Sequence, residues 1–223
     1  MFCMTYCNRY CAAEARFDRR VAERDLQHYR RRGVPAVTKL ILSELRRWPL
    51  EGADILDVGG GIGVISMELA ESGVRSATVV EASPAYLEVA RQEVGSRYGS
   101  RPTLFVLGDF VAIAPTLNDA DVVTLDRVVC CYPDAEALLR GVATRARRLV
   151  AFTYPRDRWY TRTYSGLRNF LQKLRGGDFR SFIHSPQRMG AVLEAAGFVH
   201  TARQKKGVWL LDLFHREGTA LRI

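Results

Sequence analysis

The sequence predicts an α/β protein on a mainly parallel, seven-stranded sheet, with an antiparallel strand from the C-terminal region and helices on both faces. Three observations carry this. Short apolar runs alternate with helix-length segments from residue 36 to about 155. A glycine-rich turn, Gly59-Gly60-Gly61-Ile62-Gly63, directly follows the first run. Beyond Pro155 the alternation stops, and two strand-like segments with a short basic turn between them close the chain as an antiparallel end to the sheet.

The elements follow in order. Residues 14–32 are highly charged and read as a helix, and Gly33 and Pro35 then punctuate the chain. Val37, Leu40, Ile41 and Leu45 recur at helical spacing within residues 36–48. Ile55 to Val58 reads as a buried strand, and Val64 to Ser72 as the helix that the glycines open. Ala77 to Glu81 is the second strand. Ser83 and Pro84 then suit the cap and first turn of a helix that runs to about Ser96. Thr103 to Leu107, Asp121 to Leu125 and Leu149 to Tyr154 are strands three, four and five, with a helix over residues 134–147 before the last. Arg158 to Arg175 is a basic amphipathic helix ended by Gly176 and Gly177, with Trp159, Leu167, Phe170, Leu171 and Leu174 available for one face. Pro186 to Ala196 is a further helix closed by Gly197, and Phe198–Arg203 and Val208–Phe214 are the last strands.

Bulk properties bound the function. A chain of 223 residues, 48% hydrophobic and 26% charged, fits one globular domain with a decorated periphery. No run of about 18 apolar residues occurs, so no membrane-spanning helix is expected. Residues 1–20 show no basic start followed by an apolar stretch, and the five cysteines are an odd number, so a cytoplasmic location is expected. The net charge of +9 is concentrated in two arginine-rich stretches, at residues 16–32 and 156–180. Either these are solvated helix faces, or they attract an anionic partner: nucleic acid, a membrane surface or an acidic small substrate.

Ligands of parallel sheets bind outside the carboxyl ends of the strands, and those ends carry suitable groups here. Gly59, Gly61 and Gly63 let the backbone turn sharply and lie close to a ligand. Glu81 ends the second strand, where a ribose diol is gripped. Asp109 follows the third strand, where an adenine edge can be read, and Asp126 follows the fourth. A dinucleotide fingerprint needs its third glycine at residue 64, which is valine. The spacing therefore favours S-adenosylmethionine (SAM) over NAD.

ILDVGGGIGVISMELAESG, TVVEASPAYLEVAR and GDF together resemble motifs I, II and III of class I SAM-dependent methyltransferases, which have a Rossmann-like fold. The resemblance covers most of the chain from about residue 36. It implies that Gly59 and Gly61 line the methionine part, that Glu81 bonds the ribose hydroxyls, and that Asp109 and Phe110 border the adenine. Ala82 and Tyr86 are then apolar neighbours of the nucleoside, and Asp57 shapes the glycine loop. The domain limits implied are an N-terminal arm or lid helix at 1–35 and a methyltransferase domain at 36–223, with residues 156–185 as an acceptor-side helical cap. Asp126 to Asp134, with Phe182-Ile183-His184-Ser185, is more loosely similar to the magnesium protoporphyrin O-methyltransferase branch. That branch usually places a histidine before its Tyr-Pro pair, where this chain has Cys131.

The acceptor side is less determined. Tyr29, Tyr132 and His184 are the candidates for a catalytic role, assisting removal of a proton from the acceptor. Tyr29 belongs either to a lid or to a charge-paired surface helix. Cys130 and Cys131 are either a nucleophile or, as favoured, two small buried residues. Cys3, Cys7 and Cys11 share a helix face at four-residue spacing, but no fourth ligand is evident and no metal site is assigned.

The expected function is methyl transfer from SAM to a small or medium-sized acceptor, anionic by charge complementarity, with O-methylation favoured. One alternative is a nucleic-acid methyltransferase, although no Asn-Pro-Pro-Tyr-like segment follows strand four. The other is a non-catalytic SAM-binding module, against which the intact glycines and Glu81 stand. The sequence leaves the oligomeric state open.

Overall fold

In a computed structural model, the residues described are 16–98, 102–174 and 179–219. The expectations for Cys3, Cys7 and Cys11 and for Gly176 and Gly177 fall outside them.

Seven strands form one sheet in the order β3-β2-β1-β4-β5-β7-β6. They are β1 (Asp54–Val58), β2 (Ser76–Glu81), β3 (Thr103–Leu107), β4 (Ala120–Leu125), β5 (Ala146–Pro155), β6 (Phe198–Lys206) and β7 (Trp209–Arg216). Pairing is parallel from β3 through β5. β7 runs antiparallel to both β5 and β6. The closing hairpin therefore inserts its second strand into the sheet and leaves its first as the edge.

Among the described residues the α-helices are α1 (Arg19–Arg32) and α2 (Thr38–Leu45) ahead of β1, then α3 (Val64–Ala70), α4 (Pro84–Tyr98), the single turn α5 (Phe110–Ile113), α6 (Ala135–Arg145), α7 (Trp159–Leu174) and α8 (Pro186–Ala195). Side chains alternate across a strand, so a sheet covered on both sides needs two cores. Ile55, Val122, Leu149 and Leu213 pack with Ile41 and Leu45 of α2 and Leu69 of α3. Leu56, Val123, Val150 and Phe214 pack on the opposite face with Leu139 and Val142 of α6 and Leu193 of α8.

Local sequence sets the helix ends. Asp18 caps α1 through the Val21 N–H at 2.9 Å, and Asp134 caps α6 through that of Ala137 at 2.8 Å. Arg30, Arg31 and Arg32 fill the last turn of α1 before Gly33, whose φ is 73°. Expected and observed limits differ around residue 146. The expected helix over 134–147 gives way to β5 at Ala146, where Ala146 pairs with Ala120 of β4 and the backbone joins the sheet ladder.

Helix α1 is tied to the domain at three points. Tyr29 is buried, and its hydroxyl donates to Glu68 Oε1 at 2.9 Å. The Tyr86 hydroxyl on α4 donates to Asp25 at 2.6 Å. The Arg30 guanidinium forms a two-pronged pair with the buried Glu93 of α4.

Candidate cofactor and acceptor site

The glycine turn is the floor of the site. Gly59, Gly61 and Gly63 have φ of 62°, 57° and 81°, all in the region that disfavours a side chain. A Cβ on Gly59 would overlap the Val128 side chain, and one on Gly63 would lie 2.5 Å from Val94 Cγ2. At Gly61 the nearest atom would be 3.7 Å away, on the Tyr86 ring. Gly59 and Gly63 thus serve close packing, while Gly61 presents open backbone to the cavity.

Two cavities meet over this floor. The larger, of about 340 Å³, is lined by Glu81, Ala82, Tyr86, Asp109 and Phe110, among others. The smaller, of about 300 Å³, is lined by Tyr29, Pro35, Thr38, Asp57 and Gly60, among others. Asp25, Gly59, Gly61, Asp126 and Arg127 border both. The structure therefore brings the strand-end residues singled out from sequence to one place, except Gly63, which sits beneath as the N-cap of α3.

Glu81 couples β2 to the glycine loop. Its Oε2 accepts the Gly61 N–H at 3.0 Å and its Oε1 accepts the Ser83 N–H at 2.9 Å. With the Ala82 N–H as a further backbone donor, three of the carboxylate's roughly four acceptor positions are engaged and about one remains for a ligand hydroxyl. Burial pushes the Glu81 pKa up, and these backbone donors oppose the rise. Asp57 lies deeper. Its Oδ1 accepts the Thr124 hydroxyl at 2.7 Å, while its Oδ2 has no hydrogen-bond partner although buried. Burial raises its pKa to about 7.

Asp126 is fixed from two sides. Thr153 donates to its Oδ1 at 2.7 Å and Thr38 to its Oδ2 at 2.6 Å. Arg127 follows with φ of 61°, an uncommon conformation for a residue with a side chain, and its N–H donates to Thr153 Oγ1 at 2.8 Å. That turn sends the chain into the short helix Val129–Cys131 and brings Tyr132 to the cavity wall.

The three catalytic candidates are not brought together. Tyr132 lines the larger cavity and its hydroxyl donates to Asp109, whose same oxygen accepts the Val111 N–H at 3.0 Å. Tyr29 lines the smaller cavity. His184 lines neither. Its Nε2 stands 2.8 Å from the Tyr132 carbonyl, which can only accept, so Nε2 carries the proton. Cys131 lines the larger cavity, and its hydrogen bond with Cys130 and burial push its thiol up.

Sequence reasoning missed part of the roof. Phe17 stands edge-on to Tyr86 at 5.9 Å and to Phe179 at 5.4 Å, and its carbonyl accepts the Ser83 hydroxyl at 2.6 Å. Phe179, Arg180 and Phe182 complete that side of the larger cavity. Phe182 and the cap at 156–185 are expected from sequence, but no local pattern marks Phe17, Phe179 or Arg180 as cavity residues, because distant parts of the chain supply them.

The sequence matches the methyltransferase domain family over residues 55–149. No curated protein matches it. Magnesium protoporphyrin IX methyltransferase from Synechocystis PCC 6803, solved with bound S-adenosylhomocysteine (SAH), is 19% identical, with a TM-score of 0.61 over 81% of this chain and 80% of that one. The putative methyltransferase of Haloferax volcanii, solved with the Trm112 methyltransferase activator, is 15% identical, with a TM-score of 0.65 over 86% and 93%. The N-methyltransferase NodS from Bradyrhizobium japonicum, also with SAH, is 15% identical, with a TM-score of 0.58 over 82% and 88%. At these identities the likeness is one of fold.

Proposed function

We propose, from the premise that this chain carries a methyltransferase domain of the SAM-dependent class, that it methylates a small or medium-sized anionic acceptor at oxygen. The observation that carries this is the wall of the larger cavity, where Arg127 and Arg180 stand with Phe179, Phe182 and Tyr132. Two guanidiniums among aromatic rings suit a planar or apolar molecule bearing a carboxylate or phenolate.

The cavity residues fit the cofactor. Glu81 keeps acceptor capacity for the ribose hydroxyls, and Ala82 and Tyr86 flank the nucleoside. Asp109 and Phe110 border the adenine. Gly59 and Gly61 give the methionine portion access to backbone, with Gly63 shaping the turn beneath them. The carboxylate of Asp126 supplies negative charge on the side where an ammonium would lie, and Asp57, with its pKa raised to about 7, adds to it only once its proton is lost. When bound, SAM supplies a sulfonium methyl that needs little further activation.

The protein's own task is then to position the acceptor and exclude water. The hydroxyls of Tyr29 and Tyr132 are already donated to Glu68 and Asp109, and His184 is held by the Tyr132 carbonyl. Engaged in this way, all three serve as positioning residues. An acceptor that arrives as an anion needs no base, and this supports oxygen as the methylated atom. Helix α1 fits a lid or arm over the cofactor, and the segment from α7 to Phe182 fits an acceptor-side cap. A cytoplasmic site of action suits the free thiols of Cys130 and Cys131.

The test is transfer from methyl-labelled SAM to a panel of carboxylic acids, phenols, amines and RNA. The expected product is a methyl ester or aryl ether, with a higher KM for the anion in Arg180→Gln. Labelling of RNA or amines alone would overturn the acceptor class. Tight SAM binding without any transfer would favour a non-catalytic module.

A further inference from the structure

Helix α7 presents its amphipathic pattern to the outside. Tyr160, Tyr164, Leu167, Leu171 and Leu174 recur at three- and four-residue steps, with Trp159 and Phe170 beside them, which makes one continuous stripe. The stripe faces solvent: Trp159 is 77% exposed, Tyr164 68%, Phe170 58% and Leu174 69%. The face turned to the protein is polar. Thr161 and Ser165 are buried, and the Ser165 hydroxyl donates to the Ser181 carbonyl at 3.0 Å. Asn169 donates to that same carbonyl at 2.8 Å and accepts the Ser181 N–H at 3.0 Å. These bonds fix the rotation of the helix, so the outward apolar face belongs to the folded state.

So large an exposed apolar surface marks an interaction site, and charge selects the partner. Residues 158–174 contain no aspartate or glutamate. Helical spacing puts Arg162 and Lys173 along one border of the stripe and Arg168 along the other. Arg162 is paired with Asp157, but Arg158, Arg168 and Lys173 make no ion pair among the described residues. With a net charge of +9, a second copy would bring like charge against like. Tryptophan, tyrosine, phenylalanine and leucine on one face with arginine and lysine at its borders match a helix lying in the plane of a membrane interface. No described helix is long and apolar enough to cross a membrane.

We propose that α7 docks this protein on an anionic lipid bilayer, with its apolar stripe at the headgroup boundary and Arg158, Arg168 and Lys173 among the lipid phosphates. Ser181, which pins the inner face of α7, lies between Arg180 and Phe182 of the cavity wall, so the docked helix is held directly against that wall.

The test is flotation of the purified full chain with vesicles of phosphatidylcholine alone or mixed with phosphatidylglycerol, together with sedimentation velocity. The chain is expected to float with the anionic vesicles and much less with the neutral ones. Leu167→Gln/Phe170→Gln/Leu174→Gln, all at exposed positions, should keep the circular dichroism spectrum and lose at least tenfold in partitioning. Arg168→Gln and Lys173→Gln should each lose about fivefold. Trp159 fluorescence should shift to the blue on anionic vesicles, and Trp159→Phe should remove the shift. Equal flotation of the triple variant, or none of the parent chain with anionic vesicles, overturns the proposal. A dimer that the triple variant abolishes would assign the stripe to a second copy instead. Flotation needs no methyl transfer, so its outcome is independent of the proposed activity.

Discussion

The Gly61 N–H donates to Glu81 Oε2 at 3.0 Å, so the carboxylate that ends β2 also holds the middle of the glycine loop. One half-buried side chain thereby holds the loop and, in the proposed reading, also meets the ribose.

Glu81→Gln separates these roles. The amide oxygen can keep one backbone donor, but the amide NH2 faces the other N–H and loses that bond, so relief of the desolvation cost is offset and the thermal midpoint of the ligand-free chain should hold or fall slightly. Hydrogen bonds to a charged group contribute about 1.5–3 kcal/mol, so SAH affinity should fall by roughly ten- to a hundredfold. Isothermal calorimetry checks this, and unchanged affinity would remove Glu81 from the ribose site.

Gly59→Ala and Gly61→Ala should fail differently. The first adds a methyl that overlaps Val128 at a φ of 62°, and should cost about 1–3 kcal/mol of folding stability. Adding Val128→Ala should restore part of that, but not the backbone strain. At Gly61 the φ of 57° carries the same backbone strain, but the methyl meets nothing nearer than the Tyr86 ring at 3.7 Å, so stability should fall less than in Gly59→Ala while cofactor affinity drops more. Urea unfolding beside SAH titration separates the two patterns.

Sequence made the floor of this site legible and left part of its roof hidden. Glycines after β1 and an acid after β2 lie at strand ends that periodicity locates, so Gly59, Gly61, Glu81 and Asp109 needed no tertiary knowledge. Phe17 and Phe179 meet over Tyr86 only because α1 and the segment after α7 converge there. The left-handed turn at Arg127 was equally hidden, since arginine carries no signal for positive φ. The stripe on α7 was visible as spacing. Which way it faces depended on the Asn169–Ser181 bonds.

Asp57 should make stability depend on pH. Its folded pKa of about 7 lies above the ordinary carboxylate value, so the folded state holds a proton that the unfolded chain has released. Its contribution to stability therefore falls as pH rises from about 4 to 7, and levels off above. Asp57→Asn mimics the protonated form and should flatten that part of the profile. Urea midpoints of both proteins across this range provide the check. An identical slope in the two would place the proton elsewhere.

Tyr132 offers the sharpest division between positioning and proton transfer. Its hydroxyl is committed to Asp109, which also caps α5, so the phenol bridges the proposed adenine side of the cavity to the loop that carries Arg127 and Cys131. Removing that hydroxyl should loosen the bridge and leave the acceptor's chemistry alone. In Tyr132→Phe the KM for SAM should rise several-fold, while kcat stays within about tenfold and its pH profile keeps its shape. Asp109→Asn should act in the same direction, because it weakens the same bond from the other end. A general base contributes about a hundredfold or more. If Tyr132→Phe instead collapsed kcat to that extent and removed one limb of the pH profile, the phenol would be the proton acceptor, and an acceptor entering as an anion would no longer explain the site.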